Sequence, residues 1–164
     1  MDPNTKKIVL RMFTYGLHVV TTRHAPAGGA EERGAFLANW LTQCSFEPPL
    51  VMLALEQDAH ALSVLQHGGM FAVNVLETGQ RELAGWFGRH TSKVGDKLAG
   101  REINLSPSGL PLLPEALGWV ECKLVSQLPA GDHVVVIGEV IEAGVNREGG
   151  TPLMLKETGF RYAG

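Results

Sequence analysis

The sequence predicts a mainly β, α+β domain built as an antiparallel barrel with Greek-key strand order and short helices. Three observations carry this. Apolar, β-branched runs of strand length recur along the chain, at residues 17–23, 50–55 and 71–76. Two long runs, residues 118–128 and 132–145, are separated only by Pro129-Ala130-Gly131, the punctuation of a tight hairpin. The stretches with helical periodicity are short and bounded by glycine. Six or more strands with only brief helices between them favour an antiparallel barrel over alternating βαβ units.

Each element follows from its residues. Residues 5–13 place Ile8, Leu10, Met12 and Phe13 among lysines and an arginine, an amphipathic start that Gly16 can stop before residues 17–23 extend. His24 to Gly34 carries the Gly and Pro of an exposed hairpin loop. Asn39, Thr42, Gln43, Cys44 and Ser45 form a polar turn between two apolar runs, and Pro48-Pro49 sets the entry into the strand at 50–55. Residues 59–67 read as a two-turn helix, opened by Asp58 as N-cap and closed by Gly68-Gly69. Residues 78–87 read as another, with Leu83, Trp86 and Phe87 on one face. Between Thr91 and Glu115 the signal turns to Ser, Pro and Gly, so a long loop with at most one short strand is expected.

Composition narrows the function. The chain has 164 residues, 45% of them hydrophobic and 19% charged, which suits one globular domain over residues 1–164. A net charge of −3 argues against a nucleic-acid partner, which needs a basic face. No apolar run approaches the roughly 20 residues of a membrane span, and Asp2, Lys6, Lys7 and Arg11 interrupt any secretory pattern at the start, so a cytoplasmic location with no membrane partner is expected. Cys44 and Cys122 are then free thiols. There is no Gly-x-Gly-x-x-Gly, no P-loop and no Gly-x-Ser-x-Gly, and the six histidines show no metal-binding spacing, so a Rossmann domain, a nucleoside triphosphatase, a serine hydrolase and a metal site are all disfavoured.

The turn at residues 39–45 can hydrogen-bond a planar polar ligand through amides and hydroxyls, or it can be an ordinary strand connection. A resemblance separates these readings. Leu17-His-Val-Val-Thr-Thr-Arg23, Asn39-Trp-Leu-Thr-Gln-Cys-Ser-Phe-Glu-Pro-Pro49, Phe71-Ala-Val-Asn-Val-Leu76, and Trp119-Val-Glu-Cys122 followed by Gly131-Asp-His-Val-Val-Val-Ile-Gly-Glu-Val140 stand in the order and spacing of one family. Together they resemble the flavin reductase-like family of FMN-binding split barrels, in the form of its short flavin reductase and ferric reductase-like members. The resemblance implies a homodimer with FMN near the subunit interface, reduced by NADH or NADPH. Its electrons would go to a monooxygenase, a ferric complex or another acceptor. A non-catalytic FMN-binding electron carrier is the alternative, because its sequence would differ only around His133 and residues 91–115.

FMN needs hydrogen bonds to its pyrimidine edge, a cover for its ring and positive charge for its phosphate. Asn39, Thr42, Gln43, Cys44 and Ser45 answer the first demand, and Trp40 can cover the ring. Asp58, His60 and Ala61 stand at a helix start, where unpaired N–H groups favour an anion. In the family a basic residue after the "FAVNVL" strand and its helix reaches the phosphate; Lys93 is the match, with Arg89 and His90 beside it. The family places the histidine of Gly131-Asp132-His133 beside flavin and nicotinamide, so His133 is the expected catalytic residue. Cys44 can tune the flavin or be a small residue packed beneath the ring; Cys122, Trp86 and Trp119 read as packing residues.

Overall fold

The structure is a computed structural model that describes residues 1–162. In chain order its elements are α1 (Pro3–Leu10), β1 (His18–His24), β2 (Glu32–Ala38), β3 (Leu41–Ser45), β4 (Leu50–Glu56), α2 (His60–Gly68), β5 (Met70–Val75), α3 (Arg81–Phe87), α4 (Thr91–Val94), β6 (Asn104–Leu105), β7 (Pro111–Leu112), β8 (Gly118–Ala130), β9 (His133–Val145) and α5 (Leu155–Thr158). A seven-stranded sheet in the order β2-β1-β5-β8-β9-β4-β3 pairs antiparallel throughout. This is the expected class. No ladder among the described residues joins the two edge strands, β2 and β3, so the cylinder is split.

One short connection explains the curl. The chain leaves β2 at Ala38 and enters β3 at Leu41, at the opposite edge of the sheet. Three residue steps span at most about 11 Å, so the two edges must come close at that point. The Trp40 carbonyl seals the crossing by accepting from the Ala54 N–H of β4 at 3.0 Å. Strand β1 divides the interior: Val19 packs in one apolar cluster with Leu17, Phe87, Leu98 and Leu113, while Val20, facing the other way, joins Leu53, Leu65, Phe71 and Val136 in a second. Alternate residues of a strand point to opposite faces, and β1 is buried on both.

Several local expectations need correction. The first helix begins earlier than residue 5, because the Asp2 carboxylate accepts from the Thr5 N–H and Pro3 stands in the first turn. Asp58 does not cap α2; that place falls to Ala59, with no side chain bonded there, while Gly69 closes the helix at φ 70°. The predicted turn at 39–45 is a bend at Asn39-Trp40 followed by a true strand, whose Leu41 and Gln43 pair with Leu53 and Val51. Residues 91–115 hold the short helix α4 and a two-strand ribbon, β6 with β7, where one strand at most was expected. Long-range bonds fix that segment: Thr21 Oγ1 donates to the Pro111 carbonyl and Asn74 Oδ1 accepts from Leu113 N–H, both buried.

Candidate functional site

A cleft of ≈ 650 Å³ opens at the split in the barrel, a volume typical of small-molecule sites. Its walls come from β2 and the bend after it (Ala35 to Asn39), the end of β4 (Ala54 to Glu56), the approach to and first turn of α2 (Asp58 to Ala61), the chain after α3 (Gly88 to Ser92), Lys97, and residues 160–162. The expected residues Asn39, Asp58, His60, Ala61 and Arg89 are therefore brought together. Trp40, Thr42, Gln43, Cys44, Ser45, Lys93 and His133 do not line this cleft.

Physical reasons separate the two sets. Strand β3 lies at the sheet edge, so Thr42, Gln43 and Cys44 point into solvent, and Gln43 Nε2 turns back to donate to the Ser45 carbonyl. Cys44 is thus exposed, whereas Cys122 is fully buried as expected and burial pushes its thiol up to about 12. Lys93 lies on α4 with its side chain exposed. Four residues on, Lys97 is only 5% exposed, and its ammonium donates to the Phe87 carbonyl at 2.9 Å. Burial lowers its pKa to about 8. Sequence reading missed Lys97 because Gly-Asp-Lys-Leu looks no different from an ordinary surface turn; the signal was Leu98 beside it, which is core.

One wall is therefore suited to an anion. The N–H groups at the start of α2 have no capping side chain, Arg89 stands on the neighbouring segment with its guanidinium over the Trp86 ring, and the buried Lys97 ammonium has a neutral carbonyl as its hydrogen-bond acceptor. A phosphate matches that donor set. Another part of the lining carries polar groups: Asn39, whose amide donates to the Tyr162 carbonyl at 3.0 Å, together with Glu56 and Tyr162. Ala35, Leu37, Leu55, Phe87 and Phe160 supply apolar surface between.

His133 sits just behind this part of the lining. It is 8% exposed, its Nδ1 lies 2.6 Å from Asp132 Oδ1 and its Nε2 lies 3.1 Å from the Tyr162 hydroxyl. That bond to His133 is the main reason the exposed Asp132 carboxyl is held below its usual range. Trp40 packs on the His133 ring with centroids 4.7 Å apart and on the Tyr162 ring at 5.5 Å. Among the described residues no cluster of His, Cys, Asp and Glu could hold a metal, and no helix is long and apolar enough to cross a membrane.

Comparison with known proteins adds identity to this geometry. Residues 10–164 match the family model described as flavin reductase like domain. The chain is 35% identical over 142 residues to the Mycobacterium tuberculosis protein named flavin-dependent monooxygenase, reductase subunit HsaB, covering 85% of this chain and 71% of that one. It is also 30% identical over 164 residues to diflavin flavoprotein A 1 of Synechocystis, covering 99% of this chain but only 28% of that longer protein. Among solved structures, an NADH:FAD oxidoreductase from Streptomyces globisporus superposes with a TM-score of 0.82 at 30% identity, over 99% of this chain and 95% of that one.

Proposed function

This chain belongs to the flavin reductase-like domain family, and from that premise we propose that it is an NAD(P)H-dependent flavin oxidoreductase that holds FMN in the cleft at the split of the barrel. The observation that carries the reading is that one cleft is lined both by Arg89, Lys97 and the uncapped start of α2, and by apolar and hydrogen-bonding side chains. The names of the relatives support it: one is the reductase subunit of a flavin-dependent monooxygenase, another a NADH:FAD oxidoreductase. Preference for FMN over FAD belongs to this proposal, as do a two-subunit assembly, a single domain over residues 1–164, and transfer of electrons to a monooxygenase or ferric acceptor.

When bound, the flavin supplies the two-electron chemistry. The protein binds and orients. Arg89, Lys97 and the first N–H groups of α2 hold the phosphate; Asn39 and its neighbours present hydrogen-bonding groups to the ring edge; Leu37, Leu55 and Phe87 exclude water. His133 stands behind the cleft wall and acts on the nicotinamide through Tyr162, to which its Nε2 is bonded, with its Nδ1 anchored to Asp132. Lys97 takes the phosphate role first expected of Lys93.

One observation favours the second reading, an FMN-binding electron carrier: Tyr162, which lines the cleft, occupies the Nε2 of His133, which does not. Anaerobic mixing separates the two. The purified protein is expected to bind one FMN per chain and to bleach when NADH or NADPH is added. Bound FMN that dithionite reduces and neither nicotinamide does would make the protein a carrier, and failure to bind added FMN at micromolar concentration would end both readings.

A further inference from the structure

Four polar groups run in a line across the edge of the cleft. Asp132 Oδ1 meets His133 Nδ1 at 2.6 Å, His133 Nε2 meets the Tyr162 hydroxyl at 3.1 Å, and that hydroxyl donates to Glu56 Oε1 at 2.9 Å. Glu56 and His133 are direct partners across the β4–β9 ladder, so both side chains rise from one place on the sheet. Tyr162 comes from far along the chain. Its backbone carbonyl is pinned by Asn39, its ring lies against Trp40, and its hydroxyl is bonded to both β4, through Glu56, and β9, through His133. Tyr162 and Glu56 line the cleft, whereas His133 does not.

Counting hydrogens sharpens the arrangement. Two carboxylates bring none, the phenol brings one, and a neutral imidazole brings one, for three contacts. The phenol hydrogen goes to Glu56, so the hydroxyl oxygen is left as an acceptor toward His133, and the 3.1 Å contact is a hydrogen bond when Nε2 carries a hydrogen and donates it. The Tyr162 hydroxyl is therefore the acceptor that holds the Nε2 side of the ring. Burial, and then the bond to Glu56, raise the phenol above its ordinary pKa, so it stays a donor.

Resting on the flavin oxidoreductase reading above, we propose that Tyr162 is a positioning residue that couples His133 to the cleft, its hydroxyl fixing the ring from the cleft side while Glu56 fixes the hydroxyl. His133 then reaches a bound nicotinamide only in the orientation that Tyr162 sets. Tyr162→Phe is the variant of choice because it removes one oxygen and keeps the ring on Trp40.

The first readout needs no flavin. The ring nitrogen resonances of His133, assigned by their disappearance in His133→Gln, are expected to shift at Nε2 in Tyr162→Phe and, by less, in Glu56→Gln, with an unfolding midpoint close to wild type. The second uses protein saturated with FMN: Tyr162→Phe should be reduced by NAD(P)H about ten- to a hundredfold more slowly than wild type, the range expected from a displaced reacting group. Dithionite reduction should not change. Unaltered His133 resonances in Tyr162→Phe overturn the proposal, and so does reduction of Tyr162→Phe at the wild-type rate when His133→Ala is slow. If wild-type protein is not reduced by either nicotinamide, the oxidoreductase reading fails separately, and the imidazole resonances still decide whether Tyr162 positions the ring.

Discussion

Strand β3 and the first turn of α2 are both short polar stretches set beside apolar strands, yet they face different surroundings. Thr42, Gln43 and Cys44 lie on an edge strand with solvent outside it, while His60 and Ala61 open into a cleft shared with β2, β4 and the chain after α3. The difference comes from topology and not from residue type. The two-residue link between Ala38 and Leu41 throws β3 to the far edge of the sheet, and the same link draws the two edges together. A polar turn becomes a binding surface only when another element comes to cover it.

That contrast can be broken by substitution. Arg89→Ala on the cleft side should weaken FMN binding about tenfold, the lower end of a charge-assisted contact because Arg89 is exposed. A titration of FMN fluorescence reads it directly. Thr42→Ala and Gln43→Ala on β3 should stay within about twofold, as surface changes of under about 0.5 kcal/mol do. A tenfold loss from either would bring β3 into the site.

The segment between α3 and β8 was least legible in the sequence. Local propensity marked it as loop, and its order comes from bonds to distant strands such as Thr21 to Pro111 and Asn74 to Leu113. Lys97 was hidden for the same reason: its burial depends on Phe87 and Leu98 closing around it. By contrast the β8–β9 hairpin was legible, because two long runs of strand-forming residues flank one short Pro-Ala-Gly punctuation, whose Gly131 takes φ 67°. Cys122 in the core and the packing of Trp86 and Trp119 followed from their apolar neighbours. The tie from Tyr162 to His133 and Glu56 joins residues 29 and 106 positions apart and left no local trace.

Lys97 also makes a prediction about stability. Its pKa is about 8 in the fold against an ordinary 10.5, so between those values the unfolded chain binds more protons and stability rises with pH. Below about 8 both states are protonated and the full cost of burying the charge remains. Urea unfolding of flavin-free wild type and Lys97→Met should show the variant gaining most at pH 7, with the gap narrowing toward pH 10. A constant gap would mean that Lys97 is not buried as a cation.

The smallest effect concerns the two thiols. A thiol reagent should leave Cys122 untouched until the protein unfolds, because the side chain is fully buried. Labelling of the exposed Cys44 should change FMN affinity by less than about twofold. Mass spectrometry before and after denaturation gives the count.

The central claim, that the phosphate of FMN meets Lys97 and not Lys93, is tested most directly by titrating FMN and riboflavin into Lys97→Met and Lys93→Ala side by side. Lys97→Met should bind FMN about ten- to a hundredfold more weakly than wild type while binding riboflavin, which has no phosphate, equally well. Lys93→Ala should match wild type with both. Loss of FMN affinity in Lys93→Ala with none in Lys97→Met would contradict the account and move the phosphate out of the cleft.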